Sequence, residues 1–207
     1  MNVNDQYFTA DPTSESKPVP CAFPYRGYGL NFMTDAGVFS KGELDVGSRL
    51  LLDALPAFTG DVLDIGCGWG AIGVAIAKAN KNASVTMVDV NRRALDLCRQ
   101  NAQRNGVTAE VIESDGMAEV LGRKFDAIVT NPPIRAGKQV IYKMFADAAV
   151  SLKEEGALYL VIRKQQGAES CVKYLKTLFN IVGKLDKSAG FWVLKASEPK
   201  VGSEADE

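Results

Sequence analysis

Asp61-Val62-Leu63-Asp64-Ile65-Gly66-Cys67-Gly68-Trp69-Gly70 decides the fold. Asp61–Ile65 reads as a strand ending beside a carboxylate. Glycines at alternate positions then let the backbone take positive φ and pass close to a ligand. Ala71–Ala79 follows as an apolar helix. Strand, glycine loop and helix in that order open a βαβ unit.

The alternation continues downstream. Ser84–Val90 reads as a strand holding Asp89 near its end, and Asn91 caps a helix running to Asn105-Gly106. Glu110–Glu113 and Phe125–Thr130 read as strands, Val140–Leu152 as a helix, Ala157–Ile162 as a strand and Ala168–Phe179 as a helix. Ile181–Asp186 and Phe191–Lys195 around Ala189-Gly190 read as a closing hairpin. Apolar strands separated by helices predict an α/β fold, mostly parallel, with helices on both faces and an antiparallel hairpin at its end.

Upstream, aromatics and glycines alternate from Cys21 to Phe39, the pattern of a small β-hairpin or lid. A helix carrying Val46, Leu50, Leu51 and Ala54 follows, started by a Ser40–Glu43 capping box or by Asp45. Residues 1–20 are polar and proline-bearing and are expected to be disordered. Residues 21–197 form one domain, with 21–45 as its hairpin or lid, and 198–207 an acidic disordered tail.

The 207 residues suit one globular domain, 46% hydrophobic and 24% charged. There is no histidine, which removes Ser-His, Cys-His and His-metal mechanisms together. The four cysteines form no C-x-x-C pair, so reduced thiols and no metal site are expected. No apolar run is long enough to span a bilayer, and Met1–Asp5 lacks a signal-peptide pattern, so a cytoplasmic protein without membrane attachment is expected. Net charge is −1; the tail carries −3 of it, leaving +2 for the rest and room for a local basic patch.

Asn131-Pro132-Pro133-Ile134 follows the Phe125–Thr130 strand, at the edge where open α/β sheets handle ligands. The Asn131 amide and the Pro132 carbonyl offer two acceptors, and neither proline has an N–H to compete. Two converging acceptors suit a planar exocyclic amine. Asp64, the glycines, Asp89 and Asp115 describe an adenosine site along the same edge. Two cofactors compete for it. Gly68–Gly73 spells the G-x-G-x-x-G of dinucleotide sites, but Asp64 opposes a pyrophosphate and suits the cationic S-adenosylmethionine.

These residues together resemble class I S-adenosylmethionine-dependent methyltransferases with a Rossmann-like, seven-stranded fold. Thr34–Lys41, Leu44-Asp45-x-Gly47-Ser48 and Asn131–Lys138 narrow the resemblance to the methyltransferase small domain group, over roughly residues 25 to 197. That group includes the bacterial small-subunit ribosomal RNA guanine-N2 methyltransferases. The resemblance implies that Gly66, Cys67, Gly68 and Gly70 wrap the methionine part of the cofactor, with Asp64 near its ammonium. Asp89 with Val90 would hold the ribose, Asp115 with Gly116 the adenine, and Thr34 to Phe39 would close over the pocket. Asn131 and Pro132, with Pro133 and Ile134, would form the catalytic turn, Asn131 also adjoining the cofactor.

The implied substrate is ribosomal RNA or the small ribosomal subunit, handled by a monomer or homodimer, with Arg135, Lys138 and Arg163 on its phosphates. Relatives with two tandem copies of the domain exist; here there is one. Many relatives carry an aromatic where this chain has Ile134, so base stacking must come from elsewhere, with Phe32, Phe39 and Tyr142 as candidates. Protein glutamine N5-methylation, non-catalytic RNA binding and NAD-linked oxidoreduction remain alternatives.

Overall fold

The computed structural model of the chain describes residues 10–200. Val19–Tyr25 (β1) and Tyr28–Thr34 (β2) form an antiparallel hairpin. Seven further strands follow: Gly60–Ile65 (β3), Ala83–Asp89 (β4), Glu110–Glu113 (β5), Phe125–Thr130 (β6), Leu152–Arg163 (β7), Phe179–Ser188 (β8) and Phe191–Pro199 (β9). They make one sheet in the order β5-β4-β3-β6-β7-β9-β8. Strands β3 to β7 pair in parallel, and β9 runs antiparallel to both its neighbours. The helices are Val46–Ala54 (α1), Ala71–Ala79 (α2), Arg92–Arg104 (α3), Lys138–Ser151 (α4) and Ala168–Leu178 (α5).

Strand order reverses between β3 and β6, which opens a crevice at their carboxyl ends. The glycine loop leaves β3 there, and Asn131 leaves β6 there. Alternate strand residues feed the two layers of core. Val62, Val129, Val161 and Val193 face the hairpin, α1, α2 and α3; Leu63, Ile128, Leu160 and Ile162 face α4 and α5. Leu51, Ile76, Leu95 and Phe145 are fully buried, and truncating any of them to alanine costs about 2–5 kcal/mol.

Both hairpins turn on a pair of positive-φ residues, Arg26-Gly27 and Ala189-Gly190, the backbone of a type I′ turn. The β1–β2 hairpin docks through side chains of α3. Asn101 accepts from the Met33 N–H at 2.7 Å and donates to the Met33 carbonyl at 2.9 Å. One turn later Asn105 does the same to Asn31, at 3.0 and 2.7 Å. Two amides spaced four apart on a helix thus stand in for a neighbouring strand.

Several expected boundaries move. Asp45 caps α1, accepting from the Ser48 N–H at 3.2 Å, so the Ser40–Glu43 alternative falls away. Strand β7 begins at Leu152, with a register shift opposite Phe125 and Ala127. Gly156 permits that irregularity, because a Cβ there would lie 2.9 Å from the Phe125 carbonyl.

Residues 10–18, expected to be disordered, instead lie against α3. The Ala10 carbonyl accepts from Arg92 N–H, and the Arg93 guanidinium donates to the Pro12 and Ala36 carbonyls. Strand β1 also starts at Val19, within the residues 1–20 expected to be disordered. Of the expected disordered ends, residues 1–9 and 201–207 lie outside the described residues. Among the described residues no helix is long and apolar enough to cross a membrane.

Candidate active site

The glycine loop is tied to the end of β4. The Gly66 and Cys67 N–H groups both donate to the Val88 carbonyl, at 2.9 and 3.0 Å. Gly66, Gly68 and Gly70 have φ of 70°, 54° and 90°, which disfavours any side chain. A Cβ on Gly66 or Gly68 would meet no protein atom within 4 Å, so the loop backbone borders open space.

Asp64 lies beneath this loop, 1% exposed. Its Oδ2 accepts from the Gly73 N–H at 2.8 Å, and its Oδ1 has no hydrogen-bond partner. Gly73 allows this approach, because a Cβ there would lie 3.0 Å from Asp64 Oδ2 and closer still to Met87. Burial pushes the Asp64 carboxyl up to about 7, against the lowering effect of the Gly73 bond and with a further rise from Asp89. Asp89 accepts from Gly68 N–H and Asn91 N–H, both at 2.8 Å, which fixes its carboxylate at the loop's rim. Burial raises its acid form despite those bonds. Beside it Val90 is half-buried. Asp115 is exposed in the turn after β5, next to Gly116 at φ 58°.

The segment after β2 covers the loop. Trp69 Nε1 donates to the Phe39 carbonyl at 2.8 Å, and Asn91 donates to the Gly37 carbonyl at 2.9 Å. Phe39 is 37% exposed. Thr34 begins this segment. It is fully buried, donating to Val19 and accepting from Gly42 N–H, and so shapes the segment from within. The Cys67 thiol is held well above its ordinary range by the Cys98 thiol and by burial, as befits a filler of the loop.

Asn131 is the other half of the site. Its Nδ2 donates to Ser48 Oγ at 3.1 Å and approaches Asp45 Oδ1 at 3.3 Å. A carboxylate only accepts, so the amide nitrogen must face α1 and the Oδ1 must face away from it. The turn closes through Ala136 N–H to Pro133 and Gly137 N–H to Ile134, bypassing the Pro132 carbonyl. Ile134 packs on the opposite face of the sheet, against the α4–α5 layer. There it lines a cavity of about 200 Å3 with Lys138, Tyr142 and Cys171. Arg135, Lys138 and Arg163 are all exposed at this edge of the sheet. Asp45 and Ser48, the holders of Asn131, escaped the reading of roles from sequence, although their i, i+3 spacing at a helix start was the available signal.

A family model described as methyltransferase small domain matches residues 29–195. The chain belongs to the methyltransferase small domain family. Among its relatives is YbxB of Bacillus subtilis, itself uncharacterized, 40% identical over 95% of this chain and 100% of that protein. Ribosomal RNA small subunit methyltransferase C of Aeromonas hydrophila is 45% identical over 64% of this chain. The chain spans only 40% of that relative's length.

Of solved structures, the T. thermophilus 16S rRNA N2 G1207 methyltransferase, in complex with AdoMet and guanosine, superposes with a TM-score of 0.80. It is 28% identical, over 90% of this chain and 52% of that one. A Pyrococcus furiosus methyltransferase, TM-score 0.63 and 22% identical over 73% of this chain and 81% of that one, shares the fold.

The cofactor of this methyltransferase small domain is S-adenosylmethionine, and the loop fits it. The partnerless Asp64 Oδ1 suits a cationic ammonium, and open space borders Gly66 and Gly68. A pyrophosphate would find a carboxylate at the same place.

Proposed function

We propose that this chain methylates the exocyclic N2 amine of a guanine in ribosomal RNA. The observation that carries the reading is the fixed Asn131 amide: with its nitrogen bound to Ser48 and Asp45, its oxygen is preset as an acceptor.

S-adenosylmethionine, when bound, supplies an electrophilic methyl on a sulfonium. Gly66, Cys67, Gly68 and Gly70 would hold its methionine part, Asp64 its ammonium, Asp89 with Val90 its ribose, and Asp115 with Gly116 its adenine. Phe39 would cover it. The guanine amine is a poor nucleophile, because its lone pair is delocalised into the ring. Asn131 Oδ1 and the Pro132 carbonyl accept its two N–H bonds, raise electron density on nitrogen and aim the lone pair. Pro133 and Ile134 set the turn that presents those acceptors. No strong base is required, since the N–H becomes acidic as nitrogen gains its fourth bond. Arg135, Lys138 and Arg163 would contact phosphates around an extruded base.

The relatives support RNA of the small subunit as substrate, because one acts on 16S rRNA and others carry that role in their names. The test is incubation with labelled S-adenosylmethionine and separated ribosomal fractions, followed by nucleoside mass spectrometry. Label in N2-methylguanosine is expected. Label confined to protein would replace this reading with glutamine N5-methylation.

A further inference from the structure

Ile134 is aliphatic and packs in the α4–α5 layer, so it offers the target base no ring to stack on. The other candidates are committed elsewhere. Phe32 is 1% exposed, stacked on Phe23 at 4.9 Å and edge-on to Trp69. Tyr142 stacks on Tyr174 at 3.9 Å, in the layer on the opposite face from Asn131. Phe39 lies over the glycine loop through Trp69.

Phe191 is different. It starts β9 and pairs with Arg163, the last residue of β7, whose guanidinium carbon lies 4.8 Å from its ring centroid. Val129, Val161 and Val193 share one core layer, so Asn131, Arg163 and Phe191, each two residues away, project on that same face. Phe191 also touches the turn that holds Asn131: a Cβ on Gly47 would be 3.1 Å from both its Cε1 and Asp45 Oδ1. Strand β9 is two strands from β6, about 10 Å away along the edge that carries Asn131.

We infer that Phe191, with the Arg163 guanidinium over its ring, is the platform on which the target base stacks. Aromatic rings and guanidinium planes are the two protein surfaces that stack splayed RNA bases. The inference rests on the proposed nucleic-acid substrate, adds Phe191 to it and turns Arg163 from the phosphates to the base.

The test uses nucleosides, which carry no phosphate, titrated by calorimetry into the full chain saturated with S-adenosylhomocysteine. Phe191→Leu is expected to weaken guanosine about tenfold, the effect of losing one stacking contact. Phe191→Tyr should bind as wild type, and Arg163→Lys should weaken guanosine too, since an ammonium keeps the charge but not the plane. S-adenosylhomocysteine affinity should be unchanged in all three. Wild-type guanosine affinity in Phe191→Leu, or in Arg163→Lys should the first variant not fold, overturns the platform, as does a wild type that binds no nucleoside. If adenosine or cytidine binds best with the same dependence on Phe191, the platform stands and the guanine assignment falls.

Discussion

Asn131 and Ser48 are 83 residues apart in sequence and joined by a 3.1 Å hydrogen bond. The bond makes the first turn of α1 a bracket for the acceptor at the end of β6. Asp45 serves twice, capping α1 and facing the same amide nitrogen.

Asn131→Ala removes one preorganised polar contact and should lower turnover by about two orders of magnitude. Affinity for S-adenosylmethionine should stay nearly intact. Steady-state methylation and calorimetry on one preparation separate the two effects. Near-normal turnover would remove Asn131 from the chemistry. Ser48→Ala should lower turnover in the same direction but less, since Asp45 still faces the amide.

Asp64 makes cofactor binding depend on pH. Its folded carboxyl is raised from 3.8 to about 7, so below that value the free protein holds a proton that the cofactor's ammonium must displace. Affinity should rise about fivefold from pH 6 to 7 and level off above. Proton release should appear as a buffer-dependent calorimetric enthalpy, and Asp64→Asn should abolish it. Stability of the free protein runs the other way. The folded state binds this proton more tightly than the unfolded one, so the Asp64 contribution falls as pH rises from about 4 to about 7.

Asp35 has the opposite sign. Burial alone would raise its carboxyl, but bonds from Ser16 Oγ, Lys17 N–H and Ala36 N–H, with Arg93 nearby, hold it below its usual value. Its stabilisation is present above the unfolded carboxyl value and is lost as pH falls through the lowered one. Asp35→Asn should therefore lower the melting temperature at pH 7 and change it less at an acid pH below the lowered value. Equal destabilisation at both values would show that its charge is not what matters.

Asn101→Ala leaves the partly buried Met33 N–H without its acceptor and strands the buried Trp69 carbonyl, 2.8 Å from the lost donor. Each stranded buried group costs about 1–3 kcal/mol. Urea unfolding should register a loss in that range or above, whereas Gln103→Ala, an exposed neighbour on α3, should be silent.

Much of this was legible in the chain. The strands β3 and β6 lie within one residue of their reading, because buried parallel strands are written as apolar runs bounded by glycine and proline. Asn91 reads as a helix cap and is one. The hydrogen bonds across long separations were not legible. Residues 10–18 have the composition of an unstructured end, yet Arg92 and Arg93 supply donors that no local pattern predicts. Phe191 read only as a strand residue, since its neighbours Arg163 and Gly47 come from distant parts of the chain. Thr34 sits in a motif that the resemblance places at the cofactor, but its hydroxyl is spent on Val19 and Gly42.

The paired asparagines of α3 also set an order of events during synthesis. A two-stranded hairpin is at best marginally stable alone in water. Residues 19–34 leave the ribosome long before Asn101 and Asn105, separated from them by 68 and 74 positions. The hairpin therefore waits for α3 before it can dock. A nascent chain halted before residue 105 exposes the strand edge that those two amides were to seal.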